Sequence, residues 1–192
     1  MRLIILIVLS CLPLLAKLDD GIVVPDGYVL QVLTATDGRI AMPKNWFYTN
    51  TGTPSGWMWT FSAEDPKKTG EYETGLRLQV FFQYEKKTKQ PRENFAQRLI
   101  AEKRNSIKVI KECPILDFGS FRRQCIEVIE NIKQPSGVKP FHILYSVMWL
   151  KDMDVIALST FGSPDSKWES VASISKVMSE FTLIGEHPGN KD

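Results

Sequence analysis

The residues able to do chemistry are few and scattered along the chain. The only two histidines are His142, in a predicted strand, and His187, near the carboxyl end. Hydrolysis needs a nucleophile with a base within reach, and metal sites need spaced ligands such as His-Glu-x-x-His or paired Cys-x-x-Cys. The sequence contains neither motif, and His142 alternates with apolar residues as a structural histidine does. We therefore expect no catalytic, cofactor-binding or metal-binding residues and no enzymatic activity.

Cys113 and Cys125 are candidates for a disulfide. They lie six positions on either side of Gly119, and residues 107–111 and 126–129 on their flanks have the pattern of strands. If residues 117–120 form the turn, the two cysteines face each other across a hairpin at a separation that suits a disulfide. Two free buried thiols are the alternative, and we favour the bridge.

Trp57 and Trp59 are candidates for stacking on a ligand. Both lie on one side of a predicted strand, beside a Gly-Thr-Pro-Ser-Gly segment that could complete an aromatic groove. Phe61 lies on the same side, so a core-facing surface explains all three rings, and we favour it. A small-molecule or glycan-binding module, or a weak hydrolase, using a pocket near the two tryptophans is the alternative function.

Composition indicates a globular chain without a strong electrostatic field. The 192 residues are 43% apolar, which suits one domain with a sizeable core. The 24 basic residues nearly balance the 22 acidic ones, and a net charge of +2 gives no attraction typical of nucleic-acid binding. We expect no nucleic-acid partner, and we interpret the pair Arg122-Arg123 as solvated charges that discourage aggregation between sheets.

The first residues have the pattern of a secretory signal. Arg2 supplies a positive charge, residues 3–16 are apolar apart from Ser10, and Ala16 offers a cleavage site before a polar segment. This run is shorter than the roughly 20 residues that span a bilayer, so no transmembrane span is expected in the mature chain. The predicted location is periplasmic or secreted. A lipid anchor at Cys11 is the alternative, although the residues after it stay apolar.

The remaining pattern alternates between strands and two helices. Residues 76–84 give the clearest strand, residues 141–161 a hairpin, and residues 92–105 and 164–181 the helices, with loops at 48–56, 63–74 and 133–140. Apolar residues on both sides of several strands indicate a sheet covered on both faces. We predict an α+β fold, an α/β/α sandwich around a mainly antiparallel sheet of about six strands.

The predicted domain organisation is simple. It comprises a signal peptide at 1–16, a lead-in at 17–27, a single domain at 28–185 and a flexible tail at 186–192. Since most strand and helix residues are packing residues, we expect the working surface in the loops at 48–56 and 63–74.

Short motifs at both ends of the predicted domain resemble a known family. The segment IAMPKNW (40–46) is similar to the apolar-Pro-x-x-Trp opening of the PsbP-like proteins, named for an extrinsic subunit of photosystem II. The segment VIALSTFGSP (155–164) and the helix end VMSEF (177–181) are similar to the family's last strand, short loop and closing helix. Mog-type Ran-binding proteins share this fold. The resemblance spans about 28–185 and implies an α/β/α sandwich with a binding or assembly role. We accordingly expect an exported, non-catalytic protein that binds another envelope protein.

Overall fold

The computed structural model describes residues 24–36, 38–69, 72–134, 137–180 and 182–183. The predicted signal peptide and tail lie outside these residues, as does most of the lead-in. The chain divides into two compact units: Phe47–Ser170 forms the larger, while Met1–Trp46 and Val171–Asp192 together form the smaller. The single domain at 28–185 stays a prediction.

The described elements follow one another as a mainly β chain with four helices. They are β1 (Tyr28–Val32), β2 (Arg39–Pro43), β3 (Phe47–Thr53), β4 (Gly56–Ser62), α1 (Pro66–Thr69), β5 (Gly75–Phe82), α2 (Tyr84–Thr88), α3 (Arg92–Lys103), β6 (Lys108–Asp117), β7 (Phe121–Gln134), β8 (Gly137–Leu150), β9 (Val155–Pro164), α4 (Trp168–Glu180) and β10 (Thr182–Leu183). A 3-10 turn, Asp165–Lys167, precedes α4.

The larger unit is built on an antiparallel sheet of seven strands in the order β3-β4-β5-β9-β8-β7-β6. The predicted helices near 92–105 and 164–181 correspond to α3 and α4. The α+β class and the mainly antiparallel sheet are therefore confirmed. The predicted count of about six strands is one short for this sheet, because β3 occupies a segment predicted as a loop.

The predicted loop at 48–56 is wrong for a physical reason. Residues 47–53 form β3, which pairs with β4 only and therefore has the polar, half-exposed composition of an edge strand. Gly52 lies opposite Trp57, and a side chain added at Gly52 would meet the indole ring at 3.5 Å. This is an ordinary van der Waals distance, so Gly52 lies within a paired strand beside the indole and does not mark a chain break.

The predicted loop at 133–140 is also wrong for residues 133–134 and 137–140, because these residues extend the longest hairpin. β7 and β8 pair over their whole lengths, from Phe121 opposite Leu150 to Gln134 opposite Gly137. Pro140 is tolerated inside β8 because the pairing of β8 with β9 begins only at Phe141. The nitrogen of Pro140 therefore lies where no second neighbouring strand requires a donor.

Helix α3 covers one face of this sheet. Its buried residues Ala96 and Ile100 pack with apolar side chains of β7, β8 and β9. The central members of this core are Ile126, Val128, Phe141, Ile143, Tyr145, Val147, Trp149 and Ile156. Five of these core residues lie at the alternate positions 141, 143, 145, 147 and 149, all on one side of β8.

The smaller unit contains a separate sheet of three antiparallel strands in the order β1-β2-β10. Leu33, Ile40 and Ala41 are fully buried. The turn between β1 and β2 is held by the amide of Leu33, which donates to the carbonyl of Gly38 at 2.8 Å. β1 and β2 therefore form a hairpin.

Candidate functional site

The two cysteines are joined as predicted. Cys113 on β6 lies opposite Cys125 on β7, with 5.0 Å between their Cα atoms, and the two form a disulfide. Gly119 has a φ of 78°, the left-handed conformation that glycine adopts most easily, and the amide of Phe118 donates to the carbonyl of Phe121 at 2.9 Å. The predicted turn therefore places the cysteines at the end of the sheet.

Strand β6 forms an apolar edge of the larger sheet. Ten large hydrophobic side chains of the described residues are exposed, and six of them lie on β6 or next to it. These six are Ile107, Val109, Ile110, Ile115, Leu116 and Phe118, with exposed fractions between 38% and 61%. We call residues 107–118 the β6 edge. Exposed apolar side chains on an edge strand are unusual, since natural edges are normally short, charged or covered.

The acidic groups of the β6 edge are already paired within the protein. Glu112 accepts from Arg104 at 2.6 Å, and this hydrogen bond lowers the pKa of the Glu112 carboxyl. Asp117 accepts from Lys151 at 2.6 Å and from the amide of Gly119 at 3.0 Å. These donors lower the pKa of Asp117 to about 2.

The two lysines of the same edge have no ion pair within the described part of the chain. Lys108 and Lys111 are exposed, and no carboxylate of the described residues lies within ion-pairing distance of either. The β6 edge therefore presents apolar side chains with an excess of uncompensated positive charge.

His142 lies on the opposite face of the sheet from α3, between two carboxylates. Its Nε2 is 2.7 Å from Oε1 of Glu127, and its Nδ1 is 3.4 Å from Oδ1 of Asp165. The ring is buried and stacks on Trp168. Because both ring nitrogens face carboxylates, neither is placed to take a proton from a nucleophile. This environment is that of a structural histidine.

A second polar network lies on the α3 side of the sheet and is likewise satisfied internally. Glu130 accepts from the hydroxyl of Tyr145 at 2.9 Å and from that of Ser106 at 2.8 Å, and pairs with Lys103 at 3.1 Å. Burial, followed by the charge of Glu130, raises the pKa of Tyr145 to about 12. A neutral phenol bonded to a carboxylate holds α3 on β7 and β8 and leaves no activated group.

The two tryptophans predicted as ligand surface lie in different environments. Trp59 is fully buried, so its ring packs in the core. Trp57 is half-buried over Gly52. Stacking of a ligand on Trp57 stays a prediction.

Sequence reasoning missed both the exposure of the β6 edge and the environment of one arginine. Arg122 pairs with Asp117 at 3.3 Å, as a surface charge does, but Arg123 is half-buried and donates from Nε to Ser146 at 2.8 Å. The interpretation of both as solvated charges is wrong for Arg123. The alternation of side chains along β7 could have predicted this environment, because it places Arg123 on the same side of the strand as Cys125.

Among the described residues, no group of three or more His, Cys, Asp or Glu side chains is arranged to hold a metal ion. No helix in the same part of the chain has the length and apolar character needed to cross a membrane.

Comparison with known proteins identifies the fold. No protein-family model and no curated protein sequence matches the chain. Among solved structures, it is similar to cyanobacterial PsbP (CyanoP) from Synechocystis sp. PCC 6803, with a TM-score of 0.50 and 12% identity over 85% of this chain and 96% of that chain. The likeness confirms the predicted PsbP-like fold.

Two other solved structures are similar at lower scores. LpqN of Mycobacterium tuberculosis, described as involved in cell envelope biogenesis, has a TM-score of 0.47 and 9% identity over 78% of this chain and 83% of its own. A Pseudomonas aeruginosa protein of unknown function has a TM-score of 0.45 and 7% identity over 80% of this chain and 94% of its own.

Proposed function

We propose that the protein is an exported, non-catalytic binding protein that docks another envelope protein along its β6 edge. The observation that carries this proposal is the concentration of exposed apolar side chains on one edge strand, six of the ten among the described residues. Burying that surface against a partner is favourable by about 25 cal/mol for each Å² of apolar area removed from water.

The geometry of the edge favours docking of an extended segment. β6 lies at the end of the sheet and pairs with β7 on one side. The opposite side of a terminal strand presents backbone N–H and C=O groups, to which a partner strand can add. Pro114 and the pairing irregularity between Cys113 and Leu116 interrupt the second half of β6. The half at 108–113, which carries one irregularity between Val109 and Lys111, is the docking segment.

Charge determines the kind of segment that would dock. Glu112 is paired with Arg104, whereas Lys108 and Lys111 are exposed and form no ion pair with a carboxylate of the described residues. The complementary occupant is an extended stretch of a partner protein in which apolar residues alternate with Asp or Glu. Opposite charges across a strand pair contribute roughly 0.2–1 kcal/mol each and also fix the register.

Export is supported by two independent features of the chain. The leader pattern at 1–16 predicts secretion, and the disulfide between Cys113 and Cys125 is of the kind that persists in oxidising compartments. The absence of catalysis is supported by the environment of His142, whose two ring nitrogens both face carboxylates.

Affinity capture from an envelope extract of the native cells tests the function. The bait is the mature chain, with Lys108→Glu as the test variant and Lys89→Glu, an exposed lysine far along the chain from β6, as the matched control. We expect the wild type and the control to capture the same partner in equal amounts. The test variant should capture at least about tenfold less of it. Equal capture by all three baits, or capture of nothing together with turnover in a hydrolase panel, would overturn the proposal.

A further inference from the structure

A cavity of about 270 Å³ lies beside the disulfide on the β6–β8 part of the sheet. Its polar lining consists of Lys111, Arg123 and Glu127. The apolar lining is formed by Leu116 and Leu144 together with the bridged cysteines. Cavities that hold drug-sized ligands typically measure about 300–1,000 Å³, so this one suits a smaller molecule.

Arg123 is the distinctive member of the lining. Its guanidinium is half-buried, and Nε donates to Ser146. No carboxylate of the described residues pairs with Arg123, and its two terminal nitrogens have no hydrogen-bond acceptor there. Burial lowers the pKa of this guanidinium. A partly desolvated cation without a counter-ion is costly, so binding of an anion beside it is energetically favourable.

Glu127 does not serve as that counter-ion. Its Oε1 is engaged with Nε2 of His142 at 2.7 Å, and it forms no ion pair with Lys111 or Arg123. The lining therefore holds two cations against one carboxylate that is committed elsewhere. The free ends of the arginine fork match the two oxygens of a carboxylate or phosphate group.

We propose that this cavity binds a small organic anion, with its carboxylate or phosphate group on Arg123 and a short apolar body against Leu116 and Leu144. The cavity shares Lys111 and Leu116 with the β6 edge, but its central residue Arg123 belongs to β7. The docking variant Lys108→Glu lies outside the lining, so the two proposals can be tested separately.

Isothermal titration of the mature chain with matched probes tests the site. Sodium butyrate carries a carboxylate on a short chain, methyl phosphate carries the other oxyanion, and 1-butanol is the neutral analogue of similar size. We expect saturable binding of at least one anion and at least about tenfold weaker binding of the alcohol. The two anions distinguish a carboxylate site from a phosphate site. Absence of saturable binding by both anions, or equal binding of the alcohol, would overturn the proposal.

Variants assign the binding to the arginine. Arg123→Gln should lower the affinity for the anion at least about tenfold. The matched control is Arg122→Gln, because Arg122 pairs with Asp117 and does not line the cavity. This control should bind the anion with wild-type affinity. Arg123→Lys keeps the charge but removes the planar fork, and we expect it to show an intermediate loss of affinity for the anion. This variant serves as the test if Arg123→Gln does not fold. Wild-type affinity in a folded Arg123 variant would contradict the assignment.

Discussion

The ring of His142 lies flat against the indole of Trp168, with 3.9 Å between the ring centroids and 4° between the ring planes. Trp168 begins α4 and also approaches the ring of Phe161 edge-on, with 5.9 Å between the ring centroids. The histidine therefore acts as an aromatic spacer between β8 and the start of the closing helix, while its Nε2 hydrogen-bonds Glu127 and its Nδ1 lies 3.4 Å from Oδ1 of Asp165.

This stack predicts that the shape of residue 142 matters more than its basicity. His142→Phe should keep the stack and lose the hydrogen bond to Glu127, whereas His142→Ala loses both. We expect His142→Ala to lower the free energy of unfolding more than His142→Phe does, by the roughly 0.5–1.5 kcal/mol of an aromatic pair plus the cost of the cavity that alanine leaves. Urea unfolding of the two variants measures the difference. Equal destabilisation would show that the ring contact contributes nothing.

The disulfide should stabilise the fold by restricting the unfolded chain. Cys113 and Cys125 are separated by 12 positions, and the chain-entropy model gives about 3 kcal/mol for a loop of this size. The double variant Cys113→Ser/Cys125→Ser should lose about that amount in denaturant unfolding. Wild type unfolded with reductant present is the matched control and should coincide with the double variant. A wild type insensitive to reductant, with two thiols alkylated before reduction, would contradict the bridge.

Asp117 should remain ionised in acid. Lys151 and the amide of Gly119 lower its pKa from the ordinary 3.8 to about 2. Because the folded pKa is depressed, the stabilising contribution of Asp117 is present above about pH 4 and is lost as the pH falls toward 2. Carboxyl NMR titration should place the midpoint near 2 in the wild type and in Lys151→Arg. In Lys151→Met the midpoint should rise toward 3.8, and an unchanged midpoint there would contradict the assigned cause.

The leader should be absent from the mature protein. Cleavage after Ala16 predicts a chain that begins at Lys17, which intact mass and amino-terminal sequencing of the protein from its native cells would detect. The lipid alternative predicts a chain that begins at an acylated Cys11. A chain retaining residues 1–16 in the cytoplasmic fraction would contradict both the signal peptide and export.

The sequence predicted the fold well where side chains alternate without interruption. The hairpin at 141–161 and the cysteine hairpin follow from period-two patterns and turn residues, and both are present. The strand predicted at 76–84 is present as β5 but ends at Phe82, and Tyr84 begins α2. The errors at 48–56 and 133–140 share one cause. Glycine and proline were interpreted as chain breakers, but Gly52 lies under an indole ring and Pro140 lies beyond the reach of β9.

The candidate site was less predictable because its features depend on which strand lies at the end of the sheet. The residue pattern of β6 predicts a strand, and its apolar residues are of the types found in a core. Only the strand order shows that this strand lies at an edge of the sheet. The environment of Arg123 likewise depends on β6 and β8 passing on either side of β7. Strand order involves contacts between distant segments, which local periodicity does not report.

Site-specific photo-crosslinking in the native cells tests the central claim most directly. A photoreactive residue at Ile110 on the β6 edge is compared with the same residue at Phe47, an exposed apolar position on β3 at the opposite end of the sheet. We predict a discrete cross-linked partner from position 110 that is absent from position 47 and disappears when Lys108→Glu is added. The same products from both positions, or no product from position 110, would contradict docking at the β6 edge.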